Sequence, residues 1–237
     1  MTFLSIADRD RLHSLSWYMS ARQTALRSAL SFRTPLSVTD LADMRVHYSG
    51  YFLNLLAATE LFREKTTSWS NDFEAKLYAR FVFDGFQDGK ANYSYIRELR
   101  NAVIHRGLDI VSAAHVDGCF PMIYAEPKIQ NRLRTETFFA FGKYLLNVIE
   151  KCELVIGPVM LDCLNAAGIF EAEIDTAAAV AEFREAIEQA HSIPKHFKEM
   201  ALVMEFKPEW AVDAHNAAMA KLREALVPCN TTKSLAS

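Results

Sequence analysis

Residues 95–107 read YIRELRNAVIHRG, and this stretch decides the interpretation of the fold. At about 100° per residue, the apolar side chains of the segment share one arc of a helix, which should face the core; they are Ile96, Leu99, Ala102 and Val103. His105 projects nearly opposite that arc, and Asn101 lies one turn earlier on the same side. Gly107 is a natural helix terminator. The pattern predicts an amphipathic helix that ends at Gly107 and turns His105 away from its own core.

The same stretch carries a set of side chains that suits phosphate chemistry. Arg100 offers a permanent cation with a planar fork for phosphate oxygens, and His105 offers a group that titrates near neutrality. Together Arg100 and His105 form a minimal kit for cleaving a phosphodiester without a metal, and Arg106 adds positive charge beside them. A purely structural role stays open, because His and Arg are common in the last turn of a helix, where they bind carbonyls and suit the dipole.

Helical patterns also dominate on both sides of this stretch. Apolar residues at helical spacing predict an all-α protein, with helices over 4–31, 38–65, 72–107 (interrupted near 84–92) and 135–165. Asn92 or Ser94 is expected to cap the helix that carries the motif. The short connections at 32–37 and 66–71 favour an up-and-down bundle of antiparallel neighbours.

Two regions depart from this pattern. Residues 109–126 contain β-prone runs around Asp117-Gly118, which predicts a hairpin whose second strand Pro121 confines to an edge. Residues 166–227 are expected to form a C-terminal helical extension, with helices that begin at Asp175 or Thr176, near Pro194 and at Pro208. The bundle would then span 1–165, and the polar tail over 228–237 is expected to be disordered.

Composition limits the possible classes of protein. The 237 residues include 51% hydrophobic and 23% charged residues, which is ordinary for a soluble globular protein. The net charge of −3 argues against a broadly basic nucleic-acid surface, so any contact with RNA would use a local patch. The N-terminus lacks the pattern of a signal peptide. Charges also interrupt the most hydrophobic segment, around 144–164, so we expect no membrane span and a cytoplasmic location.

Cysteine and histidine spacing predicts neither a metal site nor a disulfide framework. The four cysteines form no Cys-x-x-Cys pair, and Cys152 and Cys163 share one helical face, which favours core packing. His191 and His196 are separated by the helix-breaking Pro194, and no third ligand lies close in sequence. We therefore expect no metal and no cofactor.

The segment 95–107 resembles the signature helix of HEPN domains, all-α bundles that occur in prokaryotic toxin–antitoxin, phage-defence and RNA-processing systems. The family's motif is an Arg, then four to six residues, then a His, and the first intervening residue is often Asn, Asp or His. Arg100, Asn101 and His105 match those three positions. The resemblance covers roughly residues 4–165. It implies a HEPN-like up-and-down helical bundle with a short β-hairpin insertion and extra C-terminal helices.

The resemblance further implies a metal-independent endoribonuclease that cleaves RNA by attack of the ribose 2′-hydroxyl. His105 would move the proton, Arg100 would stabilise the phosphoryl charge, and Asn101 would orient His105 or the phosphate. Arg97 and Arg106 would bind substrate. The alternative is a non-catalytic HEPN-like module for nucleotide binding, protein interaction or dimerisation.

Partners follow from the same resemblance. Family members commonly pair two motifs across a dimer interface, so we expect a homodimer joined through the motif helix. Ile104 and Tyr95 are the apolar residues expected near that seam. RNA is the expected substrate, and an antitoxin protein is a possible further partner.

Overall fold

The computed structural model describes residues 3–64, 67–204 and 206–229. These residues form eight α-helices and two small antiparallel hairpins, with 65% of them in helix, so the prediction of a mainly helical protein is confirmed. The helices are α1 Ile6–Ala29, α2 Val38–Phe62, α3 Phe73–Arg80, α4 Gly89–Arg106, α5 Leu145–Ala166, α6 Thr176–Gln189, α7 Lys195–Val203 and α8 Pro208–Leu226. The strands are β1 Ala114–Asp117, β2 Phe120–Ile123, β3 Lys128–Gln130 and β4 Thr137–Phe139. No helix in this described part of the chain combines the length and apolarity needed to cross a membrane.

Helices α1 and α2 pack along one another and supply much of the core. Each begins with a serine cap, since Ser5 accepts from the Asp8 N–H and Ser37 forms a reciprocal capping box with Asp40. The buried residues of both helices recur at helical spacing, among them Leu12, Leu15, Met19, Leu26, Tyr48, Phe52, Leu55 and Leu56. Local pattern and capping therefore predict these two helices to within a few residues.

The motif helix α4 is preceded by α3 and a short break, as predicted, but its start differs. Asp88 caps the helix, since its Oδ1 accepts from the Ala91 N–H at 2.9 Å. Asn92 is buried instead, and its Nδ2 donates to the carbonyls of Phe81 and Phe86 at 2.8 and 2.9 Å. The expectation that Asn92 or Ser94 caps α4 is wrong, because the Asn92 amide holds the preceding loop against the helix.

The predicted hairpin within 109–126 is present. Strands β1 and β2 pair antiparallel, with Asp117 opposite Phe120 and Val116 opposite Pro121. Gly118 has a φ of +60°, the left-handed conformation that a tight turn favours.

The second hairpin replaces part of a predicted helix. Residues 137–139 form β4, which pairs with β3 so that Ile129 lies opposite Phe138, and α5 begins only at Leu145. This pairing directs Ile129 into the core, and Phe141 then packs against the rings of Phe81 and Tyr95. The prediction of a helix from 135 is therefore wrong, because tertiary burial holds this segment extended.

The C-terminal helices have unequal roles. Asp175, Pro194 and Pro208 stand at the starts of α6, α7 and α8, as predicted. Helices α6 and α7 bury no residue, whereas α8 packs against α1 and α5. Gly157 permits that packing, since a Cβ there would lie 2.2 Å from the Leu226 carbonyl oxygen. Residues 230–237 of the tail predicted to be disordered lie outside the described part of the chain.

A buried ion pair ties α8 to the bundle. Arg22 and Glu153 approach to 3.0 Å between the guanidinium and Oε1. The Tyr51 hydroxyl donates to the same carboxylate oxygen at 2.8 Å, and the Cys229 N–H donates to Oε2 at 2.9 Å. Arg22 also donates to the Ala225 carbonyl at 3.1 Å. This network joins α1, α2, α5 and the chain after α8 away from water, and the Arg22 Nε is left without a hydrogen-bond partner within it.

Candidate functional site at the end of helix α4

The apolar arc predicted for 95–107 lies in the core. Ile96, Leu99 and Ala102 are buried, and Val103 packs against the core at its edge. Gly107 has a φ of +71° and donates its N–H to the Ala102 carbonyl, which ends the helix there. The orientation of the motif helix therefore agrees with its sequence pattern.

His105 lies in the last turn of α4 with its side chain exposed to solvent. No hydrogen bond, ion pair or ring contact involves this imidazole within the described part of the chain. Ile104 beside it is also exposed, to 45%. In the single chain, this flank of α4 is thus open, and the imidazole is accessible to a ligand or to a second molecule.

Arg100 is held against the neighbouring helix α2. Its guanidinium forms an ion pair and a hydrogen bond with the Glu60 carboxylate, while its Nε is buried without a hydrogen-bond partner. Most of the Arg100 side chain is covered, whereas about half of Glu60 is exposed. Sequence reasoning missed Glu60, because it lies forty residues before Arg100 and no local spacing connects the two.

Asn101 and Arg106 share Glu98 as a neighbour. The Asn101 amide donates to the Glu98 carboxylate at 3.3 Å. Arg106 donates to the Glu98 carbonyl at 2.9 Å and to the Gln130 carbonyl at 2.5 Å, and lies 3.6 Å from the Glu98 carboxylate. Arg106 therefore connects the end of α4 with strand β3. Two of its hydrogen bonds go to neutral carbonyls, and the Glu98 carboxylate partly offsets its positive charge.

The five candidate side chains are close in sequence but do not form one cluster within a single chain. No hydrogen bond or ion pair in the described residues joins any two of them. Arg100 and His105 are five residues apart, which separates them by about 140° around the helix axis. Arg97 acts electrostatically on the phenols of Tyr78 and Tyr93, where its charge opposes the rise in pKa that burial causes. One copy of α4 does not direct all these groups at one ligand atom.

Tyr95 does not lie on the exposed flank. It is fully buried, and its hydroxyl donates to the Glu126 carbonyl at 2.6 Å. Burial raises the pKa of this phenol well above its ordinary range. The expectation that Tyr95 lies near a dimer seam is therefore wrong, because the segment after β2 covers it within the same chain.

A basic cleft opens between the end of α4 and the second hairpin. Its volume is about 750 Å³, and Arg106 lies on its α4 side. Lys128, Arg132 and Arg134 line the hairpin side, and Glu126 is the one carboxylate among the lining residues. Sequence reasoning missed the three hairpin cations as a group, because the chain after 135 was predicted to be helical. Strand β3 has only three residues, so its polar–apolar–polar sequence is too short to reveal them by local pattern.

Within the described residues, no group of three or more His, Cys, Asp or Glu side chains is placed to hold a metal ion. Cys152 and Cys163 are buried in the core, as their spacing predicts. The chain matches no family model, no curated protein and no solved structure.

Proposed function

We propose that this protein is a metal-independent endoribonuclease of the HEPN type, with its active site at the C-terminal end of α4. The observation that supports this most is the exposed His105, which lies in the same helix as Arg100 and directly precedes Arg106, a residue that lines the basic cleft. A solvent-accessible imidazole can transfer protons on an RNA phosphodiester, and a guanidinium can stabilise the charge that develops on its oxygens.

In the proposed reaction, the ribose 2′-oxygen bonds to the adjacent phosphorus while the bond from phosphorus to the 5′-oxygen breaks. The 2′-hydroxyl proton passes to a base, and the departing 5′-oxygen takes up a proton. The products are a cyclic phosphate and a free 5′-hydroxyl. His105 is the group assigned to proton transfer, Arg100 stabilises charge on the phosphoryl oxygens, and Asn101 orients the imidazole or the phosphate.

The proposed active unit is a homodimer joined through α4. Because Arg100 and His105 diverge around the helix, a second copy is needed to place an imidazole and a guanidinium on opposite sides of one phosphate. Ile104 supports this arrangement, since it offers an exposed apolar contact directly beside His105. Two copies also supply two imidazoles, one to accept and one to return a proton.

The substrate has to displace Glu60 from Arg100 in this proposal. An ion pair at the protein surface contributes only about 0–1 kcal/mol, so an RNA phosphate can replace the carboxylate at small cost. Arg97 and Arg106 serve as further substrate-binding cations. No cofactor takes part, and an antitoxin that covers this face would silence the site in a toxin–antitoxin or defence system.

A non-catalytic module for nucleotide binding or protein interaction is the second candidate. One observation favours it: the Glu60 carboxylate already neutralises Arg100 in the single chain. In that case the face around His105 binds a nucleotide or a protein without breaking a bond, and substitution of His105 changes binding but no rate.

Incubation of the purified protein with single-stranded RNA in EDTA tests the catalytic proposal. His105→Ala should lower the cleavage rate by roughly two to four orders of magnitude through lost proton transfer. Arg100→Ala should lower it by roughly two to three orders of magnitude through lost charge stabilisation. His191→Ala, which removes an exposed imidazole after α6, is the matched control and should leave the rate unchanged. Cleavage that survives both α4 substitutions would place the active site elsewhere.

The dimer is tested by Ile104→Glu, which should yield monomers in light scattering, because it places a charge in the proposed apolar contact. Val203→Glu on α7, which alters another exposed apolar side chain, should leave the dimer intact. A wild-type protein that is already monomeric contradicts the proposed assembly.

A further inference from the structure

We propose that the cleft between α4 and the β3–β4 hairpin binds single-stranded RNA, with phosphates on its cations and a base on Phe139. This inference rests on the proposed function and deepens it, since it names the surface that holds the substrate next to His105.

The charge of the cleft is opposite to that of the protein. The chain has a net charge of −3, whereas the cleft is lined by four cations and one carboxylate. One of these cations, Arg106, is paired with Glu98 outside the lining, which leaves an excess of positive charge on the hairpin side. The side chains of Lys128, Arg132 and Arg134 are exposed, and within the described residues none of them forms an ion pair or a hydrogen bond. Cations without an intramolecular partner, gathered on one surface, are the electrostatic footprint of a polyanion.

A fixed turn presents two of these cations. Asn131 Oδ1 accepts from the Thr135 N–H at 2.9 Å, and its Nδ2 donates to the Thr135 hydroxyl at 2.9 Å. The same amide group also donates to the Glu136 carboxylate at 3.2 Å. Arg132 and Arg134 therefore project from an ordered loop, so RNA binding costs little conformational entropy of the backbone there.

Phe139 gives the cleft an aromatic surface. Its side chain is 61% exposed although it lies in strand β4, and it lines the same cleft as the four cations. An exposed aromatic ring beside cations is the arrangement on which bases of single-stranded nucleic acid stack. Paired bases are not available for such stacking, which favours a single strand over a duplex.

Arg106 links the cleft to the proposed active site. It lines the cleft, follows His105 directly in α4, and donates to the Gln130 carbonyl of β3. An RNA strand on the hairpin cations therefore passes beside the helix end that carries the imidazole. The cleft explains how an acidic protein can hold RNA through a local patch.

Fluorescence anisotropy with a labelled single-stranded RNA of about 12 nucleotides tests this inference, in EDTA and on a His105→Ala background to prevent cleavage. Arg132→Gln with Arg134→Gln should weaken binding about tenfold or more near 0.1 M salt. The double variant should also reduce the slope of log affinity against log salt by about 1.4, since each phosphate contact on a single strand contributes about 0.7. Residue 134 has a φ of +58°, which is as unfavourable for Gln as for Arg, so this substitution adds no backbone strain.

Two controls separate a specific site from general charge. Arg184→Gln with Lys195→Gln removes two exposed cations from α6 and α7 and should leave both affinity and slope unchanged. Phe139→Ala should weaken binding about fivefold or more, and Phe139→Tyr should restore it, because stacking needs the ring and not its exact chemistry.

The outcomes distinguish this inference from the proposed catalysis. If RNA binding depends on Arg132 and Arg134 but the protein that retains His105 cleaves no RNA, the result supports the cleft and contradicts the nuclease. Cleavage that is unaffected by the double variant supports the nuclease and overturns the cleft. Failure of the His105→Ala protein to bind single-stranded RNA, with its melting curve intact, also overturns the cleft.

Discussion

Two arginine–glutamate pairs in this protein use the same chemistry in opposite settings. The side chains of Arg22 and Glu153 are 0% and 2% exposed, whereas those of Arg100 and Glu60 are 17% and 48% exposed. The first pair lies inside the bundle among hydrogen bonds from Tyr51 and the Cys229 N–H. The second joins α4 to α2 at the surface. The difference shows which arginine belongs to the fold and which can exchange its partner for a ligand.

Solvent access accounts for this difference. A buried charge that loses its partner remains uncompensated in a medium of low polarity, so the Arg22–Glu153 pair cannot open without a large penalty. The Glu60 carboxylate keeps contact with water, so separating it from Arg100 costs little. An incoming phosphate can therefore compete for Arg100, and no anion can reach Arg22.

The largest expected effect is on stability. Arg22→Met should lower the free energy of unfolding by about 3–5 kcal/mol, because it leaves the Glu153 charge buried without its cation. Arg100→Met removes the same group from the surface pair and should cost about 0–1 kcal/mol. Urea unfolding of both variants measures the contrast. Equal destabilisation by the two substitutions would remove the distinction between a structural and an exchangeable arginine.

Alkaline pH should act on the Tyr51 phenol of the buried network and on the buried thiol of Cys152, which precedes Glu153 in α5. Burial raises the pKa of the Tyr51 phenol and the Cys152 thiol well above their ordinary values of 10.0 and 9.0. The native state therefore keeps protons that the unfolded chain has lost, and the unfolded state binds fewer protons at high pH. The free energy of unfolding should then fall above about pH 9–10, by about 1.4 kcal/mol per pH unit for each such group.

Urea unfolding at a series of pH values measures how the free energy of unfolding changes with pH. Tyr51→Phe should reduce this slope by the contribution of one group, about 1.4 kcal/mol per pH unit. Arg100→Met should leave it unchanged, because the surface pair is not part of the network. A free energy of unfolding that stays constant from about pH 8 to 11 would contradict the role given to buried phenols and thiols.

The smallest expected effect is at the surface pair itself. Glu60→Gln removes the charge that competes with phosphate for Arg100 and should raise the affinity for single-stranded RNA by up to about fivefold, the equivalent of about 1 kcal/mol. Glu64→Gln is the matched control, because that carboxylate pairs with Arg11 instead. Anisotropy on the His105→Ala background measures both. If the His105→Ala protein binds RNA equally well with Glu or Gln at position 60, Glu60 does not compete with phosphate for Arg100.

Sequence patterns predict the parts of this fold that depend on neighbours along the chain. Caps and apolar spacing place α1 and α2, and the Asp117-Gly118 turn places the first hairpin. The second hairpin escapes such reasoning, because its three-residue strands carry little pattern of their own. Its extended form depends on Ile129 entering the core, a tertiary contact that no local spacing encodes.

The same limit applies to the candidate site. Helical periodicity predicts that His105 points away from the core of its own chain, and in the structure its side chain is exposed. It does not predict that the Glu126 carbonyl accepts a hydrogen bond from Tyr95 or that Glu60 pairs with Arg100, since both partners come from distant parts of the chain. Which cations remain unpaired, and therefore available to a ligand, is a property of the folded chain.

The most direct measurement compares one oligonucleotide sequence made as RNA and as its 2′-O-methyl analogue, incubated with the wild-type protein in EDTA. If the ribose 2′-hydroxyl attacks the phosphate with proton transfer by His105, RNA alone is cut and the products carry a cyclic phosphate and a free 5′-hydroxyl. His105→Ala then abolishes nearly all of this cleavage. Cleavage of the 2′-O-methyl strand, products with 5′-phosphates, or no cleavage of RNA by intact dimers would contradict this mechanism.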